Sequence, residues 1–425
     1  MIDGRNRLLV PGLVNAHTHS PTNVLKGTGD VLTHPTFMWL NQADTAARTP
    51  DEVRLSALVG CIEHLLSGTT AVIDHFPEQG FSEEDVDAIV DAYRVSGLRA
   101  LVALRIFDGS YDDILPPDGL PAAIANPLGP RPLDESLALV ESSVARHDGS
   151  ADGRIRLCPA PSNPSRCSDA LLSAVRDMAE RRDTAVHMHL LETKIQAEIA
   201  RSRYGVSMVA HLDRLGLLND RLSCAHTIWV DAEDIERIST RGTIPVHNPE
   251  SNLKIGTGIA PVAKMLQAGV VVALGTDGAS TNDNLDMHEA MRLAAMLQRP
   301  FEPDRSRWPT AADALGMATV AGGKALRQSG LGTLAAGAPA DLVLHDLTAV
   351  PWIPLNDPLR QLVFSATSAS VDTVMVGGRT LVEDGRIVAF DGAAILNEAR
   401  DLVRHLRDRN RALHRTVARV AAAFQ

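Results

Sequence analysis

The sequence predicts an α/β chain: a (β/α)8 TIM barrel with a small, abbreviated β-sandwich and a terminal helix. Three observations carry this. Eight short aliphatic or β-branched runs alternate with segments of helical period. The residues suited to metal or acid–base chemistry fall at the carboxyl ends of those runs. Beyond residue 335 the texture changes to short strands and tight turns.

The strand-like runs are residues 8–14, 70–76, 100–107, 154–159, 184–190, 221–226, 243–247 and 270–276. Between them, 51–67, 82–96, 168–182, 232–240 and 261–268 carry apolar residues at helical spacing. Gly68, Gly97, Gly216 and Gly269 stand where a helix should stop before the next strand. A doubly wound open sheet is the competing architecture. The barrel is expected over 8–335, the β-sandwich over 1–7 and 336–393, and the terminal helix over 394–425. In the second unit, 340–344, 371–376 and 386–389 read as strands separated by Gly-Gly and Asp-Gly turns. Residues 108–131, rich in proline and glycine, read as a lid over the barrel mouth or an irregular insertion.

At 425 residues with 45% hydrophobic side chains, the chain has ample material for a buried core. A formal net charge of −11 argues against nucleic-acid or anionic-membrane partners, which demand basic patches. The four cysteines form no C-x-x-C pair, and no apolar run is long enough to span a bilayer, so a cytoplasmic location is expected.

His17 and His19 lie one residue apart in V-P-G-L-V-N-A-H-T-H-S and would project from the same face of a strand. After the fifth run comes H-M-H-L-L-E-T, with His187, His189 and Glu192. The sixth ends in C-A-H (His226), the seventh in V-H-N-P-E-S-N (His247, Asn248, Asn252), and the eighth in L-G-T-D-G (Asp277). Three imidazoles and a carboxylate converging on one barrel mouth suit zinc or another first-row divalent ion. Such an ion lowers the pKa of bound water from 15.7 towards about 7, supplying hydroxide as a nucleophile. Glu192 is then the natural proton donor, Asp277 both ligand and proton acceptor, and His226 a clamp on the water or the oxyanion.

Segments 11–19, 189–193, 225–226, 247–261 and 275–278 resemble the amidohydrolase superfamily. The resemblance is to its branch of S-adenosylhomocysteine/methylthioadenosine deaminases, guanine deaminases and triazine hydrolases, and it spans residues 8 to 390. It implies one divalent metal ion, zinc with iron or manganese as options, held by His17, His19, His189 and Asp277. It also implies Glu192 and His226 as catalytic groups. Binuclear branches use a lysine ending the fourth strand, and R-L-C-P-A-P-S-N-P offers none. The family pattern H-x-x-E selects His189 over His187, which is expected to be a buried hydrogen-bonded neighbour. His75 faces the same mouth as substrate contact or filler. Trp39, His75, Ser162, Asn163, His247 and Asn248 are the expected substrate contacts. His34, His64, His147, His211, His288, His345, His405 and His414 are read as lying outside the site.

Three departures shape the functional expectation. Relatives carry a longer segment before the H-x-H strand, forming half of the sandwich. Here an upstream start, another subunit or the C-terminal helix must cover the exposed sheet edge, so a homo-oligomer is expected. Nucleoside deaminases of this branch place a Glu before the loop tryptophan, where this chain has Phe37 ahead of Trp39. They also read G-P-H-x-P-Y after the fourth strand, where this chain has Ser162 in place of the histidine. Both put ribose recognition in doubt and favour a free heterocycle. The resemblance thus implies a hydrolytic deaminase converting an aminated purine, pyrimidine or triazine to its oxo product with release of ammonia. The alternative is cleavage of a cyclic amide, carbamate, urea or carbon–halogen bond at the same metal. A silent scaffold is disfavoured because every chemical group is retained.

Overall fold

Residues 3–78, 80–109 and 131–423 are described in a computed structural model, and all but three residues of the predicted 108–131 connector fall outside them. Thirteen strands are present among the described residues. They are β1 (Arg7–Pro11), β2 (Leu13–Thr18), β3 (Thr69–Phe76), β4 (Arg99–Ile106), β5 (Ile155–Pro161), β6 (Val186–Leu190) and β7 (Leu222–His226). They continue as β8 (Ile244–His247), β9 (Ala273–Leu274), β10 (Leu342–Asp346), β11 (Val371–Val376), β12 (Arg379–Glu383) and β13 (Arg386–Ile387).

Strands β2 to β9 are parallel and form two four-stranded sheets, β2-β3-β4-β5 and β6-β7-β8-β9, the eight staves of a (β/α)8 barrel. Backbone hydrogen bonds join the halves at both seams. The Asp277 N–H donates to the His17 carbonyl (3.0 Å), and the His189 N–H donates to the Ser162 carbonyl (3.2 Å). Alternation along each strand sends small apolar side chains inward near the amino end: Ala71 and Ile73, Leu101 and Ala103, Cys158 and Ala160. The next inward positions, His75, Arg105 and Ser162, are polar and buried, so each strand changes character towards its carboxyl end.

The helices between strands begin where their caps dictate. Thr49 and Glu52 form a reciprocal capping box ahead of the helix Pro50–Leu66, and Ser82 and Asp85 do the same for Glu83–Ser96.

The predicted strand 8–14 is in fact two strands in different sheets. Residues 7–11 pair antiparallel with β10, with Leu9 opposite Leu344, while 13–18 enter the barrel. Gly12 makes the break: a Cβ there would lie 2.0 Å from the Thr70 Oγ1. Residues 8–11, expected in the barrel, therefore belong to the antiparallel sheet β1-β10-β11-β12-β13. Among the described residues that unit is one five-stranded sheet, and no second sheet faces it to complete the expected sandwich.

The predicted terminal helix is broken into three: Gly392–Ala399, Leu402–Arg409 and Arg411–Ala423. The last two pack on the helix His34–Thr45, and β1 is an edge strand of its sheet. Trp39, Ala43 and Val417 form one apolar cluster there. The Asn410 side-chain amide donates to the carbonyls of Ala43 and Ala46, both at 2.9 Å. The buried Asp44 carboxylate lies 3.1 Å from His414 Nε2 and 3.6 Å from Arg407 Nε. No described helix is long and apolar enough to cross a membrane.

Candidate active site

At the carboxyl end of the barrel, side chains from β2, β6 and the turn after β9 meet. The Nε2 atoms of His17 and His19 lie 3.4 and 3.3 Å from Asp277 Oδ1, and His19 Nε2 lies 3.2 Å from His189 Nε2. The candidate ligand nitrogens of His17, His19 and His189 are all within 4.8 Å of one another. Asp277 reaches this point from a left-handed backbone conformation (φ 63°), held by the Gly278 N–H on Oδ1 (2.8 Å) and the Ser251 hydroxyl on Oδ2 (2.6 Å). Two residues earlier, Gly275 is packed so closely that a Cβ would lie 2.9 Å from the His17 backbone nitrogen.

Each imidazole is aimed by a bond from its other nitrogen, as metal-binding histidines require. His189 Nδ1 is 2.7 Å from the Ser162 carbonyl, which makes it the donor and leaves Nε2 the acceptor facing His19 Nε2. His17 Nδ1 is 2.8 Å from His187 Nε2, and His187 Nδ1 is 2.7 Å from the Ser223 hydroxyl. His187 thus stands behind His17. His19 Nδ1 lies 3.0 Å from the His75 carbonyl and 2.6 Å from Glu78 Oε1. Glu78 is braced in turn by Arg105 (2.9 Å), whose Nε donates to the Ser162 Oγ (2.9 Å).

The electrostatics favour a cation. Glu78, Glu192 and Asp277 oppose the single guanidinium of Arg105, and all four are buried. Burial holds His17 down to about 4 and keeps His189 well below the usual imidazole range, so both rings are neutral near pH 7. At His19 burial is outweighed by Glu78 and Asp277, which raise it to about 10. The carboxylates therefore draw positive charge to the point between His19 and Asp277. His17 Nε2, fully buried, has no hydrogen-bond partner. Borderline nitrogen donors with one carboxylate and an orphaned lone pair fit a divalent transition metal.

Above this floor opens a cavity of about 590 Å3. His19, His189, Glu192, His226 and Asp277 lie at its base, and Leu32, Phe37, Met38, Trp229 and Ile255 form apolar walls. His226 Nδ1 is 2.8 Å from the Asn252 Oδ1, and its Nε2 is 3.9 Å from both Glu192 Oε1 and Asp277 Oδ2. Burial of Glu192 is outweighed by His226 and His34, which hold its carboxyl down to about 2.

The expected substrate contacts separate. Asn163 lines the cavity; Trp39, His75, Ser162, His247 and Asn248 do not. Trp39 sits on the far side of its helix, against Val417, while Phe37 and Met38 turn inward. His75 is buried beneath His189, ring centroids 4.6 Å apart, and neither of its nitrogens has a hydrogen-bond partner. Ser162 is occupied by Arg105. His247 is buried with both nitrogens unpartnered, and Asn248 Nδ2 lies 3.4 Å from His226 Nδ1, below the cavity.

His34, expected outside the site, lines the cavity with Nε2 3.3 Å from Glu192 Oε2. Glu78 and Arg105 are equally unanticipated. Both were within reach of the sequence: Glu78 follows the third strand, and Arg105 shares the inward parity of Leu101 and Ala103.

Residues 8–381 match the model of a family described as the amidohydrolase family. The chain is 36% identical over 402 residues to a 5-methylthioadenosine/S-adenosylhomocysteine deaminase of Dictyoglomus thermophilum, covering 94% of this chain and 87% of that protein. Among solved structures, an adenosine deaminase from Xanthomonas campestris with bound zinc superposes with a TM-score of 0.83 at 32% identity, over 96% of this chain and 87% of that one. An atrazine chlorohydrolase from Arthrobacter aurescens TC1, complexed with zinc, gives 0.86 at 27% identity, over 95% and 89%.

Proposed function

We propose, from the premise that this chain belongs to the amidohydrolase family and is a hydrolase of carbon–nitrogen bonds, that it is a metal-dependent deaminase of a small aminated N-heterocycle. The observation that carries the reading is the meeting of His17, His19, His189 and Asp277 under a cavity that also exposes Glu192 and His226. We assign His17, His19, His189 and Asp277 to one divalent ion, with zinc favoured by the nitrogen donors and by the zinc-bound neighbours. When bound, that ion supplies Lewis acidity and brings water into the range where it ionises near neutral pH.

The remaining steps belong to the protein. Asp277, ionised and held by Ser251 and Gly278, collects the proton released as water attacks the ring carbon. Glu192 takes up the water's other proton and delivers it to the neighbouring ring nitrogen, and Asp277 passes the proton it collected to the amino group, which leaves as ammonia. His226, fixed through Nδ1 by Asn252, presents Nε2 to the developing oxyanion. Phe37 on the wall, where nucleoside deaminases of this branch carry an acid, supports a heterocycle without a sugar. Four buried free thiols support a cytoplasmic setting, and the edge position of β1, with Leu9 exposed, supports a homo-oligomer.

The test is ammonia release from a panel of aminopurines, aminopyrimidines and aminotriazines by metal-loaded enzyme. Release from at least one of them, abolished in Glu192→Ala, is the expected result. No turnover across the panel with metal bound removes the deaminase reading. The likeness to the chlorohydrolase supports a second reading, displacement of a ring halide, and the same proposed metal site also admits hydrolysis of a cyclic amide, carbamate or urea. Halide release and addition of a water to the substrate mass identify those two outcomes.

A further inference from the structure

Glu192 stands between two imidazoles, and the proposed chemistry uses only one. Its Oε1 faces His226 Nε2 at 3.9 Å, and its Oε2 faces His34 Nε2 at 3.3 Å. Both side chains of the second pair are largely buried, at 15% and 10% exposure. The main chain of Glu192 is pinned separately, by its N–H donating to the Gln196 Oε1 (2.9 Å). The direction in which the carboxylate points is thus set by what its two oxygens meet.

We infer that His34 is a positioning residue for Glu192: its imidazole N–H holds Oε2, so that Oε1 is the oxygen presented to the reacting ring. The inference rests on the assignment of Glu192 as proton carrier. A carboxylate on a two-carbon stem otherwise has free rotation about its terminal bond, and proton delivery needs one oxygen within hydrogen-bond reach of its target. His34 can do this because it opens the helix His34–Thr45, whose far end is clasped by Asn410 and Asp44 contacts to the C-terminal helices. It is a side chain at the tip of an anchored rod, not on a free loop.

The charges facing this pair come from few elements. Glu192 is met by His34, by His226 at the end of β7 and, farther off, by Asp277. His34 is met by Glu192 and Asp277, which outweigh burial and raise its proton affinity. Lys194 and Lys254 line the same cavity, but their ammonium groups pair with Glu198 and Asp283. A protonated His34 therefore gives Glu192 a charge-assisted partner and keeps it the weaker base of the two.

The first test needs no turnover. In zinc-loaded enzyme the His34 ring resonance is identified by its absence in His34→Asn and followed against pH. It should titrate above the ordinary imidazole value of about 6.5, and in Glu192→Gln it should fall by about one unit or more. An unchanged value in Glu192→Gln overturns the inference, whatever substrate the enzyme takes.

The second test uses a substrate released as ammonia by the wild type. His34→Ala should lower kcat about 10- to 100-fold with KM changed less than about threefold, and should move the acid limb of the kcat profile to higher pH. His34→Gln, which keeps an N–H donor without the charge, should recover most of kcat but not the position of the limb. A loss confined to KM, or an unmoved acid limb in His34→Ala, makes His34 a wall residue and overturns the inference. Failure of the deaminase reading shows separately, as a wild type that releases no ammonia while the resonance shift persists.

Discussion

The floor and the wall of the cavity are built on different principles. The floor residues His17, His19 and His189 stand on barrel strands, and Asp277 on the turn just beyond one. Backbone hydrogen bonds set their positions, and a neighbour on the opposite nitrogen or oxygen sets their aim. The wall residues His34, Phe37 and Met38 stand on a helix that lies outside the barrel ladder and is held by helices from the far end of the chain. Strand ends supply the fixed chemistry. The clasped helix carries the side chains proposed for selection and alignment, apart from the strands that carry the proposed metal ligands.

That division can be broken at its strongest point first. Asp277→Ala should lose metal and ammonia release together, activity falling about 1,000-fold or more, whereas Glu192→Ala should lose comparable activity with its metal intact. Metal content beside steady-state rates checks the contrast. Next comes the brace behind His19. Glu78→Gln should weaken metal affinity about 10- to 100-fold, read by competition with a chelator, because His19 loses the carboxylate on its Nδ1. On the wall, Asn410→Ala frees the carbonyls of Ala43 and Ala46. It should cost about 1–3 kcal/mol in stability and raise KM, with metal content unchanged.

The smallest effect concerns pH. Burial, helped by Glu289, pushes the Glu250 carboxyl up to about 8, and Asn282 donates to it at 2.9 Å. A carboxyl with a raised folded pKa contributes stability that is complete below its unfolded value and is lost as pH rises through about 8. Glu250→Gln should therefore flatten the decline in Tm between pH 5 and 9, a difference of about 1–2 kcal/mol at the alkaline end.

The floor was legible because its signal is local and periodic. Two histidines one residue apart share a strand face and the later strand ends open on the same mouth, so spacing marked the region, while the family resemblance chose His189 over His187 and completed the set with Asp277. The wall was not legible because its members owe their placement to packing between distant segments. Trp39 is an obvious aromatic beside the active site, yet it packs outward with Leu413 and Val417 and leaves Phe37 facing in. His34 carried no strand-end cue, and Glu78 and Arg105 become meaningful only once each is seen as the other's partner. The misreading of 8–14 has the same origin. A continuous apolar run hides the change of sheet, which the crowding of Gly12 against Thr70 brings about.

The barrel is a ring assembled from two arcs, and its joints fall at the reaction centre. One joint is the bond between residues 277 and 17, the other the bond between 189 and 162. Each arc brings two of the four proposed ligands, His17 and His19 from one and His189 and Asp277 from the other. A slip of a single residue at either joint would turn a ligand away from its companions. The proposed coordination sphere would therefore double as a gauge of ring closure: its four donors converge only on a barrel whose arcs have locked in register.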